Sequence, residues 1–293
     1  MRRPTTYPTN IEHAAGLLRA GRLVAFPTET VYGLGANALD EAAVQSIFEA
    51  KGRPASSPLI VHVTGIEMAR ELAAEWPQQA ELLARAFWPG PITIVVPKKP
   101  HVPDIVTANL PSVGLRMPAH PLARALLEAA GIPIAAPSAN RFTELSPTTA
   151  EHVREAFPDI FTLDGGSCEV GIESTVISLA GSAPRILRPG MITRRQIELV
   201  IGPVETGAGP ESPGQHPRHY SPRTPIVLGD PPGEGHGMRL EMPDDPAEYA
   251  EQLYATLHDL DEQGFDWIAN ELPPDTPEWS GIRDRLQRAS NRA

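Results

Sequence analysis

Short apolar runs alternate with amphipathic segments along the first two thirds of the chain. The runs at 59–63, 92–96 and 132–136 have the length and the branched side chains of buried strands. The segments at 40–49 and 121–130 place their apolar residues on one face of a helix. Because some strands follow one another directly and some helices come in pairs, the pattern predicts an α/β fold with a mixed sheet and flanking helices.

A proline- and glycine-rich segment without apolar periodicity spans 204–224 and predicts a linker. It separates a larger predicted domain, 1–203, from a small α/β domain, 225–293. The small domain is expected to contain strands near 225–228 and 265–269 and helices near 245–263 and 281–289. The sequence therefore predicts two unequal units, each with its own core.

Charge and cysteine content restrict the compartment and the partners of the chain. With 25 basic and 36 acidic side chains the formal net charge is −11, which disfavours a nonspecific RNA-binding surface. No stretch reaches the about 18–20 apolar residues of a membrane span, and no apolar run of a secretory signal follows Met1. The single cysteine, Cys168, cannot form an internal disulfide. We therefore expect a cytoplasmic protein with no membrane contact.

Polar residues stand at the ends of several predicted strands, where α/β proteins place their ligand sites. The segments PTETVYGLG, at 27–35, and PSAN, at 137–140, each follow a buried strand. Ser174 and Arg188 repeat the arrangement with a hydroxyl and a guanidinium group beside a strand. Taken singly, each of these features is also typical of an ordinary turn.

Lys51 and Arg53 follow a predicted helix and flank Gly52, a position where a cation is expected to be exposed and to complement the helix dipole. Two cations so close together, followed by Ser57, also suit a phosphate group, because arginine offers a planar fork and lysine a mobile point charge. Such groups can offset the charge that develops during nucleotidyl transfer. From the residues alone both interpretations stay open.

His62 and Arg116 lie on predicted strands. His62 is typical either of a buried core histidine or of a ligand-binding group, and Arg116 either of a surface ion pair or of a site for a small carboxylate. The other histidines are scattered without the spacing of a metal site. The sequence has neither a Gly-x-x-x-x-Gly-Lys-Ser loop nor a Gly-x-Ser-x-Gly elbow, which excludes the common ATPase and hydrolase classes.

Four of these segments together resemble the YrdC family in their order and spacing, namely 27–34, 51–54, 137–140 and 174–175. The resemblance covers about residues 8–202. The segment that runs from Ser212 through Arg218 to Pro222 resembles the linker of that family's long form. Residues 225–293 resemble a shortened version of the C-terminal domain of the long form. The resemblance implies a YrdC-like mixed, twisted sheet for the larger domain.

The resemblance also implies a reaction, in which L-threonine, bicarbonate and ATP give L-threonylcarbamoyl-adenylate and pyrophosphate. This is the first committed step towards the threonylcarbamoyl adenosine of transfer RNA. The implied cofactor is Mg²⁺, held mainly by the ATP phosphates and not by a protein metal site. The implied partners are the three substrates and the threonylcarbamoyl-transferase proteins that act next, with at most weak binding of transfer RNA itself.

Roles for individual residues are carried over from the family. Lys51 and Arg53 are expected to act in catalysis, and Asn140 to support one of the two substrate sites. The expected ATP contacts are Arg53, Ser57, Ser112, Ser138, Ser146, Arg188 and Tyr220. The expected threonine contacts are Thr30, His62, Arg116, Ala136 and Ser174. The linker is expected to close over the nucleotide as a lid that keeps water away.

Two alternatives remain at this point. One is carbamoyl transfer from carbamoyl phosphate, as in the YrdC-like module of hydrogenase maturation proteins, whose acylphosphatase and zinc-finger modules have no counterpart in this sequence. The other is non-catalytic RNA binding on the same fold, against which the net charge of −11 counts.

Overall fold

A computed structural model describes residues 7–214 and 219–291 of the chain. The larger part of the chain contains, in order, α1 (Tyr7–Arg19), β1 (Val24–Phe26), β2 (Gly33–Asn37), α2 (Glu41–Lys51), β3 (Ile60–His62), α3 (Ile66–Leu72), α4 (Gln78–Phe87), β4 (Ile92–Pro97), β5 (Ser112–Arg116), α5 (Pro121–Ala130), β6 (Ile134–Ala135), α6 (Ala150–Ala156), β7 (Phe161–Thr162), β8 (Thr175–Ser178), β9 (Arg185–Arg188), α7 (Arg194–Ile201) and β10 (Glu205–Thr206). The C-terminal part contains β11 (Ile226–Leu228), β12 (Gly237–Arg239), α8 (Pro246–Glu262), β13 (Trp267–Asn270) and α9 (Ser280–Ser290). Short 3₁₀ turns lie at Asp104–Thr107 and Pro277–Trp279.

The larger sheet has ten strands in the order β10-β9-β8-β4-β5-β3-β6-β2-β1-β7. The sheet contains parallel pairs such as β3–β5 and β4–β8 and antiparallel pairs such as β1–β2 and β4–β5. Helices cover the sheet, and α1 packs against α5. The predicted α/β architecture, a mixed sheet with flanking helices, is confirmed.

Strand β1 shows how the sequence builds a core on each face of this sheet. Val24 and Phe26 pack with residues of α1 and α5, whereas Ala25 belongs to the core that α2 and α4 help to form. Successive side chains of a strand point to opposite faces, so an unbroken apolar run fills both cores. This explains why the strand sequences are continuously apolar and do not alternate.

Helix α2 begins and ends where its sequence indicates. The side chain of Asp40 accepts hydrogen bonds from the backbone N–H groups of Ala42 and Ala43, which have no partner within the helix. Gly52 ends the helix with φ of 63°, a left-handed conformation that favours glycine. The chain therefore changes direction between Lys51 and Arg53, and the two side chains point to different parts of the molecule.

Three strands fall where the sequence predicts none. Strand β2 begins within the segment predicted as a polar loop, 27–35, and extends two residues beyond it, and a Cβ atom on its Gly35 would lie 2.8 Å from the Phe26 ring. Strand β10 extends the edge of the large sheet from within the predicted linker, beside β9. Strand β12 completes the small sheet. Glycine and short exposed strands give no apolar periodicity, which is why sequence patterns miss them.

The small C-terminal sheet has the order β11-β13-β12, with both pairs parallel. Its helices pack closely on the larger part of the chain. A Cβ atom on Gly171 would lie 2.1 Å from the carbonyl oxygen of Ala250 in α8, and one on Gly281 of α9 would lie 3.0 Å from Cα of Gly190. Only glycine allows the two backbones to approach so closely at 171. Among the described residues, no helix is long and apolar enough to cross a bilayer.

Candidate active site

A cleft opens where several strands of the large sheet end. Strands β3 and β5 run parallel and end together, with His62 opposite Arg116 in the register. Ala136 follows β6 and Ser174 precedes β8. The cleft contains about 540 Å³ of space not filled by protein atoms, counting the part open to solvent.

Arg116 forms one wall of the cleft through a buried ion pair. Its Nη2 donates to Oε1 of Glu29 over 2.6 Å, and both side chains are 5% exposed. Its Nη1 donates to Oγ1 of Thr30 over 3.0 Å. Glu29 is fixed in turn, because its Oε2 accepts the backbone N–H of Ala119 over 3.0 Å. The guanidinium plane is therefore held in one orientation, as binding of a small carboxylate requires.

Arg188 and Ser174 form a second wall. The Nε of Arg188 donates to the carbonyl oxygen of Ser174 over 3.1 Å, and its Nη2 donates to Oγ of Ser174 over 3.2 Å. The Ser174 hydroxyl also shares a 2.8 Å hydrogen bond with Oγ1 of Thr93. These contacts connect the guanidinium group of β9 to the start of β8.

Arg53 forms the third cationic wall. Its Nη2 donates to Oγ of Ser57 over 2.5 Å and to the carbonyl oxygen of Pro58 over 3.0 Å. Its Nε is buried and has no hydrogen-bond partner among the described residues. Burial, with a further contribution from the charge of Arg188, lowers the pKa of Arg53 to about 10, although Tyr220 acts in the opposite direction. An unpartnered N–H on a buried cation favours an anionic ligand.

Lys51 is buried, with 3% exposure, and is therefore not the exposed cation that its position after a helix predicts. Its Nζ donates to the carbonyl oxygen of Ser138 over 2.6 Å, to the carbonyl oxygen of Asn140, and to Oδ1 of Asn140 over 3.2 Å. Asn140 Oδ1 also accepts from the hydroxyl of Ser138 over 2.5 Å. Lys51 and Asn140 thus shape the loop that presents Ser138 to the cleft.

His62 lies deep in the cleft in an apolar surrounding. Its ring meets the ring of Phe26 edge to face at 5.8 Å, and its Nδ1 has no hydrogen-bond partner among the described residues. Burial, followed by the positive charge of Arg116, lowers the pKa of His62 to about 3. The imidazole is therefore neutral throughout the physiological pH range.

Nine of the residues predicted from the sequence line this one cleft: Thr30, Arg53, His62, Arg116, Ala136, Ser138, Ser174, Arg188 and Tyr220. Five others are not among the lining residues: Lys51, Ser57, Ser112, Asn140 and Ser146. Four of these five contact the cleft walls through hydrogen bonds. Ser112 instead lies buried at the start of β5, opposite Pro97 of β4. The assigned substrate contacts of all these residues stay predictions.

The linker runs over the same cleft. Pro213, Gly214, His219 and Tyr220 line it, and the carbonyl oxygen of Pro213 lies 3.5 Å from Nη1 of Arg188, which donates to it. Tyr220 is 1% exposed and adopts a φ of 59°, which is uncommon for a residue with a side chain. The predicted linker residue at 218 lies outside the described residues. The position of the linker suits the lid that the sequence predicts.

Four polar residues of the site have no role predicted from the sequence: Thr28, Glu29, Glu173 and His219. Glu29 lies next to Thr30 in the segment PTETVYGLG, so the motif itself contains the carboxylate that pairs with Arg116. Glu173 precedes Ser174 and lines the cleft, with a side chain that is 8% exposed. His219 precedes Tyr220, and burial lowers its pKa well below the ordinary value. No local pattern signals that these polar side chains are buried.

Protein groups for a metal ion are absent from the described part of the chain. Residues 7–214 and 219–291 contain no group of three or more His, Cys, Asp or Glu side chains that could hold an ion. Three arginines and several hydroxyls line the cleft together with apolar residues. Fold and site together define an α/β protein whose cleft is built to bind anionic groups, with one arginine suited to a carboxylate and two suited to phosphates.

Comparison with known proteins agrees with this class. The family model Sua5–YciO–YrdC, described as "Telomere recombination", matches residues 16–190, and a model described as "Threonylcarbamoyl-AMP synthase, C-terminal domain" matches residues 192–240 and 231–291. The chain belongs to the Sua5–YciO–YrdC family and carries the C-terminal domain of its long members. The predicted family is confirmed.

Individual relatives match over nearly their whole length. A threonylcarbamoyl-AMP synthase of Pyrococcus abyssi is 41% identical, with 96% of this chain and 94% of that protein covered. One of Bacillus subtilis is 41% identical, with 98% and 94% covered. A crystal structure of the P. abyssi Sua5 protein complexed with L-threonine superposes with a TM-score of 0.91 at 41% identity, covering 96% of this chain and 94% of that one.

Proposed function

We propose that the chain is an L-threonylcarbamoyladenylate synthase, a nucleotidyltransferase that condenses L-threonine, bicarbonate and ATP to threonylcarbamoyl-AMP and pyrophosphate. The observation that carries the proposal is the meeting of Arg116, Arg53 and Arg188 in one cleft. Three oriented guanidinium groups suit an amino-acid carboxylate and a polyphosphate held side by side. Relatives named for this activity, 41% identical over nearly the full chain, support the same assignment.

Threonine is assigned to the wall that Arg116 forms. The guanidinium group would bind the carboxylate, while the hydroxyls of Thr30 and Ser174 and the backbone of Ala136 offer further hydrogen bonds. The neutral ring of His62 would pack at the same subsite without adding a positive charge. The bound threonine in the related P. abyssi structure supports an amino-acid subsite in this fold.

ATP is assigned to the opposite walls. Arg53 and Arg188 would contact the phosphates, with Ser57, Ser112, Ser138, Ser146 and Tyr220 as further predicted contacts. Mg²⁺ would enter as part of the substrate Mg·ATP, held by phosphate oxygens, which are the oxygen ligands that this ion prefers. We assign Lys51 a supporting role, because its ammonium group holds the Ser138 loop.

The chemistry requires positioned reactants more than a protein nucleophile. The threonine amine adds to carbon dioxide released from bicarbonate and loses a proton to give a carbamate. A carbamate oxygen then forms a bond to the α-phosphorus as the bond to the β-phosphate oxygen breaks, and pyrophosphate leaves with that electron pair. Arg53 and Arg188 would stabilise the negative charge that accumulates on the phosphates. A linker closed over the cleft would keep water from the labile carbamate.

One assay tests the proposal. The protein is incubated with labelled ATP, L-threonine and bicarbonate, and pyrophosphate and threonylcarbamoyl-AMP are measured. Pyrophosphate release that needs both threonine and bicarbonate is the expected result. Release without threonine, or no release, would contradict the assignment. Pyrophosphate release that needs carbamoyl phosphate in place of threonine and bicarbonate would indicate the carbamoyl-transfer alternative, and RNA binding without turnover would indicate the other.

The same proposal sets the place of the protein in a reaction sequence. Its product is a mixed anhydride that must be consumed by a protein transferring the threonylcarbamoyl group to transfer RNA. Direct binding of transfer RNA would be weak, given the net charge of −11. We also propose a cytoplasmic location, supported by the single buried cysteine, Cys168. Cell fractionation of the tagged chain checks it.

A further inference from the structure

Side chains from the larger part of the chain and from the C-terminal part meet on the carboxylate of Glu173. Its Oε1 accepts the hydroxyl of Ser146 over 2.5 Å, from the larger part of the chain. Its Oε2 accepts the hydroxyl of Tyr254 of α8 over 3.2 Å and Nε of Arg285 of α9 over 2.7 Å. Glu173 itself lines the cleft beside Ser174. The small C-terminal domain thus reaches the wall of the candidate active site.

Arg285 is fully buried and contacts three segments around the cleft. Besides its bond to the carboxylate, its Nη2 donates to the backbone carbonyl oxygen of Glu173 over 3.2 Å, and its Nη1 donates to that of Pro189 over 3.0 Å. Its Cζ atom lies 5.2 Å from the centre of the Tyr220 ring, over which the cation packs. One guanidinium group therefore joins the segment before β8 and the segment after β9 to the linker.

The charge of Glu173 matters because of its position. A buried carboxylate beside the assigned triphosphate site would repel the ligand unless a cation compensates it. Burial alone would raise the pKa of Glu173, but the charges of Arg285 and then Arg188 outweigh burial and hold this pKa below its ordinary value. Glu173 is therefore ionised, and Arg285 of α9 supplies the larger part of the compensating charge, with Arg188 of β9 supplying the rest. Nη1 of Arg285 also donates to Oδ2 of Asp284 over 2.8 Å, and Asp284 is paired in addition with Arg288.

We propose that Arg285 is a positioning residue for the nucleotide site: it neutralises and fixes Glu173, so that binding of a nucleoside triphosphate depends on docking of the C-terminal domain. The inference rests on the proposed function for the identity of the nucleotide. It goes beyond that function because it gives the C-terminal domain a part in building the cleft. The ligand never touches Arg285, which acts through Glu173.

Direct binding of ATP to the full-length protein, measured by titration calorimetry, tests the proposal. Arg285→Met removes the charge and keeps the aliphatic stem, and we expect ATP to bind about tenfold or more weakly. The double variant Arg285→Met with Glu173→Gln removes both charges, and its ATP affinity should return to within about threefold of the unmodified protein. The matched control is Arg283→Met on the same helix, because Arg283 contacts Pro273 and Asp275 of the C-terminal part.

The pH dependence separates this role from a merely structural one. In Arg285→Met the pKa of Glu173 rises, so the carboxyl group is protonated at low pH and the repulsion disappears. ATP affinity in this variant should therefore fall as the pH is raised, whereas the double variant and the unmodified protein show no such fall. Threonine affinity, measured in the same way, should change by less than about twofold in each variant.

Tyr254→Phe keeps the proposal testable if Arg285→Met does not fold. This change deletes one hydroxyl donor to Glu173 and leaves the ring packing intact, and it should weaken ATP binding about two- to threefold. Unchanged ATP affinity in folded Arg285→Met, or in folded Tyr254→Phe, would overturn the proposal. A double variant as weak as Arg285→Met would overturn it as well. Calorimetry measures ATP binding directly, whereas the synthase assay measures the proposed activity. A lack of synthase activity in the unmodified protein would therefore not be mistaken for a failure of this proposal.

Discussion

The ammonium group of Lys51 donates a hydrogen bond to the backbone carbonyl oxygen of Ser138 over 2.6 Å. Lys51 therefore supports the loop that carries Ser138 from outside the cleft and does not line the cleft itself. The sequence predicts that Lys51 acts in catalysis, and in the structure its ammonium group holds the loop of Ser138. This contact changes what a substitution at Lys51 should do.

Replacing Lys51 with methionine should lower both stability and nucleotide affinity. The change leaves the carbonyl oxygens of Ser138 and Asn140 buried without their donor, so the free energy of unfolding should fall by about 2–4 kcal/mol. Urea denaturation measures this loss. Lys99→Met is the control, because the hydrogen bond from Lys99 to the carbonyl oxygen of Arg70 is exposed to solvent. A free energy of unfolding that is unchanged in Lys51→Met would contradict the role of Lys51 in supporting the Ser138 loop.

Arg116→Lys should raise the KM for threonine about tenfold and leave the KM for ATP within about twofold. Lysine keeps the charge beside Glu29, but one ammonium group cannot reproduce the planar fork that Arg116 directs at both Glu29 and Thr30. Steady-state kinetics with each substrate varied in turn checks the split. Arg124→Lys, on the exposed surface of α5, serves as the control. Equal changes in both KM values would argue against a carboxylate site at Arg116.

Acid should destabilise the unmodified protein partly through His62. The pKa of His62 is about 3 in the folded chain and about 6.5 when unfolded, so the unfolded state binds the extra proton between these values. Stability is thus fully present above pH 6.5 and falls as the pH drops towards 3, by about 2 kcal/mol at pH 5 for this group. Urea denaturation at pH 7 and pH 5 should show a smaller loss in His62→Gln. The same loss in both proteins would place the acid sensitivity elsewhere.

Gly214→Ala should weaken ATP binding by displacing Tyr220. A Cβ atom at Gly214 would lie 2.4 Å from the Tyr220 hydroxyl oxygen, and the φ of 80° at Gly214 disfavours a side chain. We expect a rise of about five- to tenfold in the Kd for ATP, with a smaller effect on threonine. Gly264→Ala is the matched control, since Gly264 has a φ of 72° but open space around it. Comparable losses in both variants would show that backbone strain alone is responsible.

Apolar periodicity and capping residues predict most of the fold. The strands around Val61 and Ile94 and the cap at Asp40 are found where local sequence places them, because each depends on neighbours close in the chain. Strand β2 escapes prediction since Gly33 and Gly35 carry no side chain and derive their position from the Phe26 ring that packs on them. From sequence alone, glycine within a strand predicts a turn unless the strand that pairs with it is known.

The candidate site is predictable to the extent that its residues lie in recognisable segments. Arg53, Ser138 and Ser174 belong to such segments, and the cleft brings them together. The burial of Lys51 escapes prediction, because the acceptors of its ammonium group are 87 and 89 residues away. The pair of Glu173 and Arg285 is separated by 112 residues, and no motif connects them. Long-range pairs of this kind follow from tertiary packing and not from local pattern.

The long separation between Glu173 and Arg285 also orders events during folding. Closing a loop of 112 residues requires that both sheets have formed and that α9 has docked, and non-local contacts of this kind form slowly. Until then the carboxylate of Glu173 has only the charge of Arg188 to compensate it and should keep more solvent in the unfinished cleft. Nucleotide binding should therefore be the last property that a refolding chain regains, after its secondary structure has already returned.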